Sequence, residues 1–189
     1  MAMTHAYLAL LAAVAIGRLL ELQVSRRNQR ALAAKGVAKI HEPHFRWMVL
    51  LHAGILGGAA LEVLLLRRPL IPALAVSMGA LFTFANILRW WVIRTLAGHW
   101  NVEVMASPSV GVVTSGPYRW VRHPNYVAVV AELFALPMMH TAWITALLGT
   151  AAHLEILRRR IGVEDGLLLS NPAYRSSMGA KPRFLPRLF

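Results

Sequence analysis

Between Gly116 and Tyr126 the chain reads Gly-Pro-Tyr-Arg-Trp-Val-Arg-His-Pro-Asn-Tyr, with Glu132 following. Pro124 suits the first turn of a helix, where its missing N–H costs nothing. Arg122 and His123 then stand at that helix's N-terminus, where free backbone N–H groups and the positive end of the helix dipole converge. A guanidinium and an imidazole added there make a site for a small anion such as a carboxylate or phosphate. The same two cations could instead rest on lipid headgroups.

Two further segments carry chemistry. In Arg160-Ile161-Gly162-Val163-Glu164-Asp165, helical spacing puts Leu157, Ile161, Glu164 and Leu168 on one face. Glu164 falls inside an apolar stripe, so its carboxylate must be paired or used, because burying it alone is costly. The plain alternative is an ion pair with Arg160, four residues earlier. Ala97-Gly98-His99-Trp100 ends an apolar run and could be an aromatic anchor at a membrane edge. Glu62, Arg89 and Glu132 lie within apolar stretches and are functional candidates for that reason, although Arg89 sits near a helix end and could snorkel. His52 and His140 stand alone, which suits core packing or hydrogen bonding better than metal binding. No pair of histidines or carboxylates has metal-ligand spacing, and no metal is expected.

The elements that must position these residues are apolar helices. Of 189 residues 57% are apolar and only 15% charged, against about 25% charged in a soluble domain. Mean hydropathy is +0.52. Too few charges remain to coat a water-facing globule, and disorder is excluded for the same reason. A span needs ~20 mostly apolar residues. The candidates are Tyr7–Val24, Trp47–Leu66, Leu70–Ile93 and the longer stretch Tyr126–Leu157. Pro137 divides the last one, so a two-helix hairpin turning near Pro137–Thr141 is expected. The first run lacks the basic flank and the cleavage site of a signal peptide, so it counts as a span. The expectation is an all-α integral membrane protein: about five transmembrane helices, then a cytosolic C-terminal helical segment with a loop covering a cofactor. Residues 1–95 would supply the first three spans and 96–189 the catalytic part of a single domain.

There are 20 Lys+Arg against 8 Asp+Glu, a net charge of +12. Arg26, Arg27, Arg30, Lys35 and Lys39 follow the first span. Arg94, Arg119 and Arg122 lie between the third and fourth. Arg158, Arg159, Arg160, Arg175, Lys181, Arg183 and Arg187 crowd the C-terminus, while the opposite side receives only Arg67 and Arg68. This asymmetry places the N-terminus outside and the C-terminus in the cytosol. Topology and anionic lipids account for the charge; no nucleic-acid motif is present and no such partner is expected. Cysteine is absent, which excludes disulfides, thiolate metal sites and a cysteine nucleophile. Residues 25–44 read as a basic, mixed loop with room for some helix, ending His41-Glu42-Pro43-His44. Residues 98–124, with Ser107-Pro108-Ser109, form the longest connection outside the spans, and loops of that length are usually functional.

The pattern Gly116-x-Tyr118-x3-Arg122-His123-Pro124-x-Tyr126 resembles the isoprenylcysteine carboxyl methyltransferase family of integral-membrane, S-adenosylmethionine-dependent enzymes. Leu96-Ala97-Gly98-His99-Trp100, Arg160-Ile161-x2-Glu164-Asp165-x2-Leu168, Tyr174 and Arg183-Phe184-Leu185-Pro186 extend the likeness over residues 96–189. Ser25-Arg26-Arg27-Asn28, Glu42-x-His44 and Met48-Val49-x-Leu51-His52 are similar to a bacterial branch that methylates alkylpyrones or alkylresorcinols and is associated with type III polyketide synthases. Two departures stand out: Asp165 replaces a second Glu, and Ser170-Asn171-Pro172-Ala173 replaces a Phe-Gly-acidic-acidic loop.

The resemblance implies S-adenosyl-L-methionine at the cytosolic edge of the bundle, under the C-terminal segment. It puts Arg122, His123, Pro124 and Tyr126 in the cofactor pocket, with His99, Trp100 and Tyr118 as walls. Glu164 would contact the cofactor or polarise the acceptor, and Arg175 would be an orienting cation. The acceptor would be a lipophilic small molecule or a prenylated carboxylate, met among membrane lipids. The rival expectations are a lipid N-methyltransferase, an enzyme of the membrane sterol-reductase type, and a polytopic scaffold without catalysis.

Overall fold

The computed structural model describes residues 2–39, 45–103, 105–106 and 111–186. His41-Glu42-Pro43-His44, Ser107-Pro108-Ser109 and Arg187 lie outside the described residues. Among the described residues there are six α-helices: α1 (Ala2–Ala33), α2 (Phe45–Leu65), α3 (Pro72–Leu96), α4 (Pro124–Met138), α5 (Trp143–Ser170) and α6 (Pro172–Met178). Short 3-10 turns occupy Ala97–His99 and Gly116–Arg119. A two-residue antiparallel ladder pairs β1 (Ala38–Lys39) with β2 (Met105–Ala106), Ala38 opposite Ala106. The fold is all-α apart from this ladder, as the lengths of the apolar runs predict.

Among the described residues three helices are long and apolar enough to cross a membrane: α1, α2, and α3 with the turn that follows it. Their outward faces carry Leu19, Leu50, Leu61, Phe84, Ile87 and Trp90, all more than half exposed. Such a belt would be a liability in water and is the natural surface against hydrocarbon. At ~1.5 Å per residue, 15-residue α4 is only ~22 Å long, shorter than a full crossing. The expected hairpin is present: α4 ends at Met138, one residue after Pro137, and α5 starts at Trp143. The Ala142 N–H closes the turn on the Pro137 carbonyl at 3.0 Å.

The spans differ most from expectation at α1, which continues nine residues past Val24 to Ala33. The helical part of the 25–44 connection is thus residues 25–33. Its polar residues explain the extension. Buried Ser25 accepts the Val102 N–H at 3.1 Å, Asn28 donates to the Trp100 carbonyl at 2.8 Å, and Gln29 donates to Glu103 at 2.7 Å. These bonds fasten the connection after α3 to the end of α1.

α4 lies between α3 and α5, and α2 packs on α5. Gly149 allows that last approach, since a Cβ there would sit 2.6 Å from Ile55 Cγ1. Tyr7, Leu11, Ala59, Val63, Leu136 and Ala142 form an apolar cluster at the hairpin end, where the Tyr7 hydroxyl donates to the Leu136 carbonyl at 3.1 Å.

The intramembrane charges are paired. Glu21 accepts from Arg18 at 2.6 Å and from Arg89 at 2.5 Å, and Arg18 also reaches Glu132. Two cations and two anions thus tie α1, α3 and α4 together with no net charge. Arg89 is buried rather than snorkelling. Glu62 of α2 acts on a different helix. Its carboxylate accepts the Ile144 and Thr145 N–H groups at 3.2 and 2.8 Å and is held by Arg68 at 2.9 Å. It therefore caps the N-terminus of α5 from outside that helix, where an anion is favoured.

Candidate functional site

At the opposite end of the bundle α4 starts at Pro124, with His123 as its cap residue. The turn that delivers the segment, Gly116–Arg119, lies tight on α3. Gly116 has φ +55°, and a Cβ on it would fall 2.4 Å from Thr95 Oγ1, so glycine is needed there both for the backbone and for the contact.

The cationic tip expected from the sequence is present, but its anion comes from the chain itself. Asp165 of α5, 4% exposed, takes three donors: Arg122 Nη1 at 3.2 Å and His123 Nε2 at 2.9 Å on Oδ1, and Arg183 Nε at 2.8 Å on Oδ2. Burial alone would raise this carboxyl. The bonds from His123 and Arg183 and the charge of Arg122 outweigh burial and hold it below its ordinary value. Two guanidiniums against one carboxylate leave the cluster with a surplus of one positive charge, so it remains able to take an anion. The backbone N–H groups of Arg122 and His123 are not free either. They bond the Pro182 and Arg183 carbonyls at 2.9 and 2.8 Å, which straps the C-terminal segment across the helix start. Phe184 follows, 6.3 Å from the His123 ring.

Tyr126 lies one turn into α4, stacked on His123 at 5.3 Å. Its hydroxyl receives a hydrogen bond from Arg160 Nε at 3.0 Å and donates to Glu164. The bridge through this phenol stands where the plain alternative put a direct Glu164–Arg160 pair. Arg160 also donates to the Val102 carbonyl at 2.6 Å, which joins α5 to the segment held by Ser25 and Asn28. Tyr118 and Tyr174 stand close enough to Glu164 to feel its charge. Burial first, and that charge second, push the Tyr118 phenol far up and the Tyr174 phenol up to about 12. Both remain neutral donors at any working pH.

Pro124 and Trp100 are buried. His99 is exposed, with its carbonyl accepting from Asn101 at 3.2 Å. Arg175 is exposed as well and donates to the Leu169 carbonyl at 2.8 Å, near the end of α5. The structure therefore gathers Tyr118, Arg122, His123, Tyr126 and Glu164, and leaves His99 and Arg175 facing outward. It adds Asp165, Tyr174 and Arg183, which the sequence pattern does not place in the site. The available signal is phase: the buried residues of α5 include His153, Leu157, Ile161 and Asp165, a stripe rotated one position from the one that puts Glu164 at its centre.

A small-molecule site should leave some polar atoms waiting. Trp100 Nε1, Arg122 Nε and Asn125 Oδ1 are buried without partners. With the surplus charge, two carboxylates and three phenols, this donor and acceptor set fits a zwitterionic amino-acid moiety attached to an aromatic base. Beside it a groove of about 250 Å³ runs along α5, walled by Leu154, Leu157 and Ile161 and rimmed by Arg158, Arg183 and Phe184. Among the described residues no group of three metal-ligating side chains occurs.

Residues 77–170 match the model of the isoprenylcysteine carboxyl methyltransferase (ICMT) family. The chain is 28% identical over 159 residues to the uncharacterized protein YpbQ of Bacillus subtilis (strain 168), covering 84% of this chain and 94% of that one. It is also 28% identical over 152 residues to an uncharacterized protein of Haemophilus influenzae, covering 80% and 88%.

Proposed function

We propose that this chain, which belongs to the isoprenylcysteine carboxyl methyltransferase family and is a membrane methyltransferase, uses S-adenosylmethionine to methylate an oxygen of a lipophilic acceptor. The observation that carries this reading is the cluster at the start of α4. There Arg122, His123, Asp165 and Arg183 meet under the C-terminal strap, with Tyr118, Tyr126, Tyr174 and Glu164 beside them.

In this reading Arg122, with its Nε still unpartnered, holds the methionyl carboxylate. Glu164 and Asp165 would balance the charge of the ammonium. The phenol faces of Tyr118, Tyr126 and Tyr174 suit a sulfonium and a purine, since cations and π-faces attract. The bound donor supplies an electrophilic methyl group. The protein's part is to fix the approach of the acceptor oxygen and to keep water out, and the strap from Pro182 to Phe184 is placed to do the second. An enol or carboxylate acceptor ionises with little help. A phenol near pKa ~10, by analogy with tyrosine, requires a base such as Glu164 or His123. The apolar groove along α5 and the lipid-facing belt support an acceptor with a long hydrocarbon tail. We place the N-terminus outside and the C-terminus in the cytosol, with α4 and α5 as the last two of five crossings, the bilayer thinning locally to match the short α4.

The test is methyl transfer by the purified protein from radiolabelled S-adenosylmethionine to a panel of alkylpyrones, alkylresorcinols and prenylcysteine analogues. Thermal protection by S-adenosylhomocysteine is measured alongside. Labelled lipid product and protection are expected. Protection by NADPH instead points to a reductase, and neither ligand protecting would overturn the reading.

A further inference from the structure

The polar line of the site does not end at Arg160. Two turns earlier on the same face of α5 is His153, 1% exposed, with neither Nδ1 nor Nε2 hydrogen-bonded. Thr150, one turn earlier again, has a buried hydroxyl that is also without a partner. Three of the unpartnered buried polar atoms among the described residues therefore sit on adjacent turns of one helix. His52 of α2 meets His153 edge to face, ring centres 5.2 Å apart at 85°. His52 Nδ1 lies 2.7 Å from the Met48 carbonyl. A carbonyl only accepts, so that nitrogen carries a proton, and a neutral ring then keeps a lone pair on Nε2. Met48 links this pair to the site, because its sulfur lies 3.4 Å from Arg160 Nη1.

A histidine used only for packing has its nitrogens satisfied, since a buried polar group left alone is costly. His153 breaks that rule at both nitrogens. Leu154, next to His153, and Leu157, one turn further along α5, are walls of the apolar groove, so the groove reaches the level of His153, two turns deeper than Arg160. The charged and titratable groups around it are His52 from α2 and Arg160 from its own helix, with the paired Arg18, Arg89 and Glu132 beyond His52.

We infer that His153, with His52 and Thr150 beside it, is the polar anchor for the methyl acceptor, accepting a hydrogen bond from a neutral hydroxyl of the acceptor's head group. The inference rests on the methyltransferase reading and deepens it. An imidazole lone pair accepts a hydrogen bond from such a hydroxyl, while a carboxylate offers no proton to it. A hydroxyl bound here leaves the rest of the head group to extend toward Arg160 and Tyr126.

The test is binding, measured without the methyl donor. Detergent-purified protein is titrated with 5-pentadecylresorcinol and with a long-chain 4-hydroxy-2-pyrone, each as the free hydroxyl compound and as its methyl ether. At least one free hydroxyl lipid is expected to bind ten times or more tighter than its ether. His153→Phe, which keeps a buried ring, is expected to erase that difference, while S-adenosylhomocysteine binding stays as in the unaltered protein. His153→Gln, which keeps an acceptor, is expected to retain part of it. If His153→Phe does not fold, the unaltered protein with 15N-labelled histidine decides: the His153 ring nitrogens must shift on adding the free lipid and not its ether. Equal binding of both forms, unchanged discrimination in His153→Phe, or unshifted ring signals would each overturn the inference. The methyltransferase reading falls separately, on loss of S-adenosylhomocysteine binding by the unaltered protein.

Discussion

Asp165 binds α5, the start of α4 and the C-terminal strap at one point, which makes its protonation a matter of stability. Its carboxyl is held below its ordinary value in the folded protein. Its contribution is therefore fully present above about pH 4, the unfolded value, and is lost as pH falls through the lower folded value. A melting curve in detergent is expected to show an acid limb below about pH 4. Asp165→Asn should shrink that limb and cost about 1–3 kcal/mol at neutral pH, the scale of hydrogen bonds to charged groups. Arg122→Ala and His123→Ala act on the same point but through the ligand. Either should cut methyl transfer roughly 100-fold while the protein still inserts into membranes, on the scale of losing one preorganised charged contact. Full activity in purified His123→Ala would refute its place in the site. Pro124 as a helix start was legible in the sequence, because proline at a first turn is a local rule. The partners of that start were not. Asp165 and the carbonyls of Pro182 and Arg183 lie more than forty residues away, and only tertiary structure brings them together.

At the scale of elements, two contacts set where α5 sits. Glu62 caps its first turn from α2, and Gly149 lets α2 approach its second turn. Glu62→Ala would leave two helix N–H groups and Arg68 without their acceptor, with an expected loss of about 3 kcal/mol. Gly149→Ala would drive a methyl into Ile55, at an expected cost of about 1–3 kcal/mol. Ile55→Ala in the same protein should restore part of it, because the two side chains compete for one volume. Thermal unfolding of the single and double variants checks both. Apolar runs gave α2 and α3 to within about three residues, since a lipid-facing helix is written in composition. They missed the end of α1, because Ser25, Asn28 and Gln29 extend that helix through polar bonds that no hydropathy pattern encodes. They also left Glu62 looking like a functional charge, since a cap supplied by another helix has no local signature.

Across the whole molecule the charges separate by end. Arg26, Arg27 and Arg30 on α1, Arg94 on α3, Arg119 and Arg122 before α4, and Arg158 through Arg183 on and after α5 belong to the end that holds the site. The hairpin end has Arg67 and Arg68, and Arg68 is already used by Glu62 and by the face of Trp143, 5.0 Å away. That asymmetry favours a cytosolic site and an outside hairpin, which also suits a soluble methyl donor arriving from the cytosol and a lipid arriving from the bilayer. Because the chain contains no cysteine, single introduced thiols report sidedness without background. Arg67→Cys lies in the exposed turn between α2 and α3, and Ser176→Cys is exposed on α6. In intact cells a membrane-impermeant maleimide should label Arg67→Cys at once and Ser176→Cys only after permeabilisation. The reverse pattern would turn the protein over and move the donor to the other side. Labelling of both from outside would require an even number of crossings between the two positions, so that one of α3, α4 and α5 would not cross; a hairpin that dips in and returns to the side of the site would give the same labels as two full crossings.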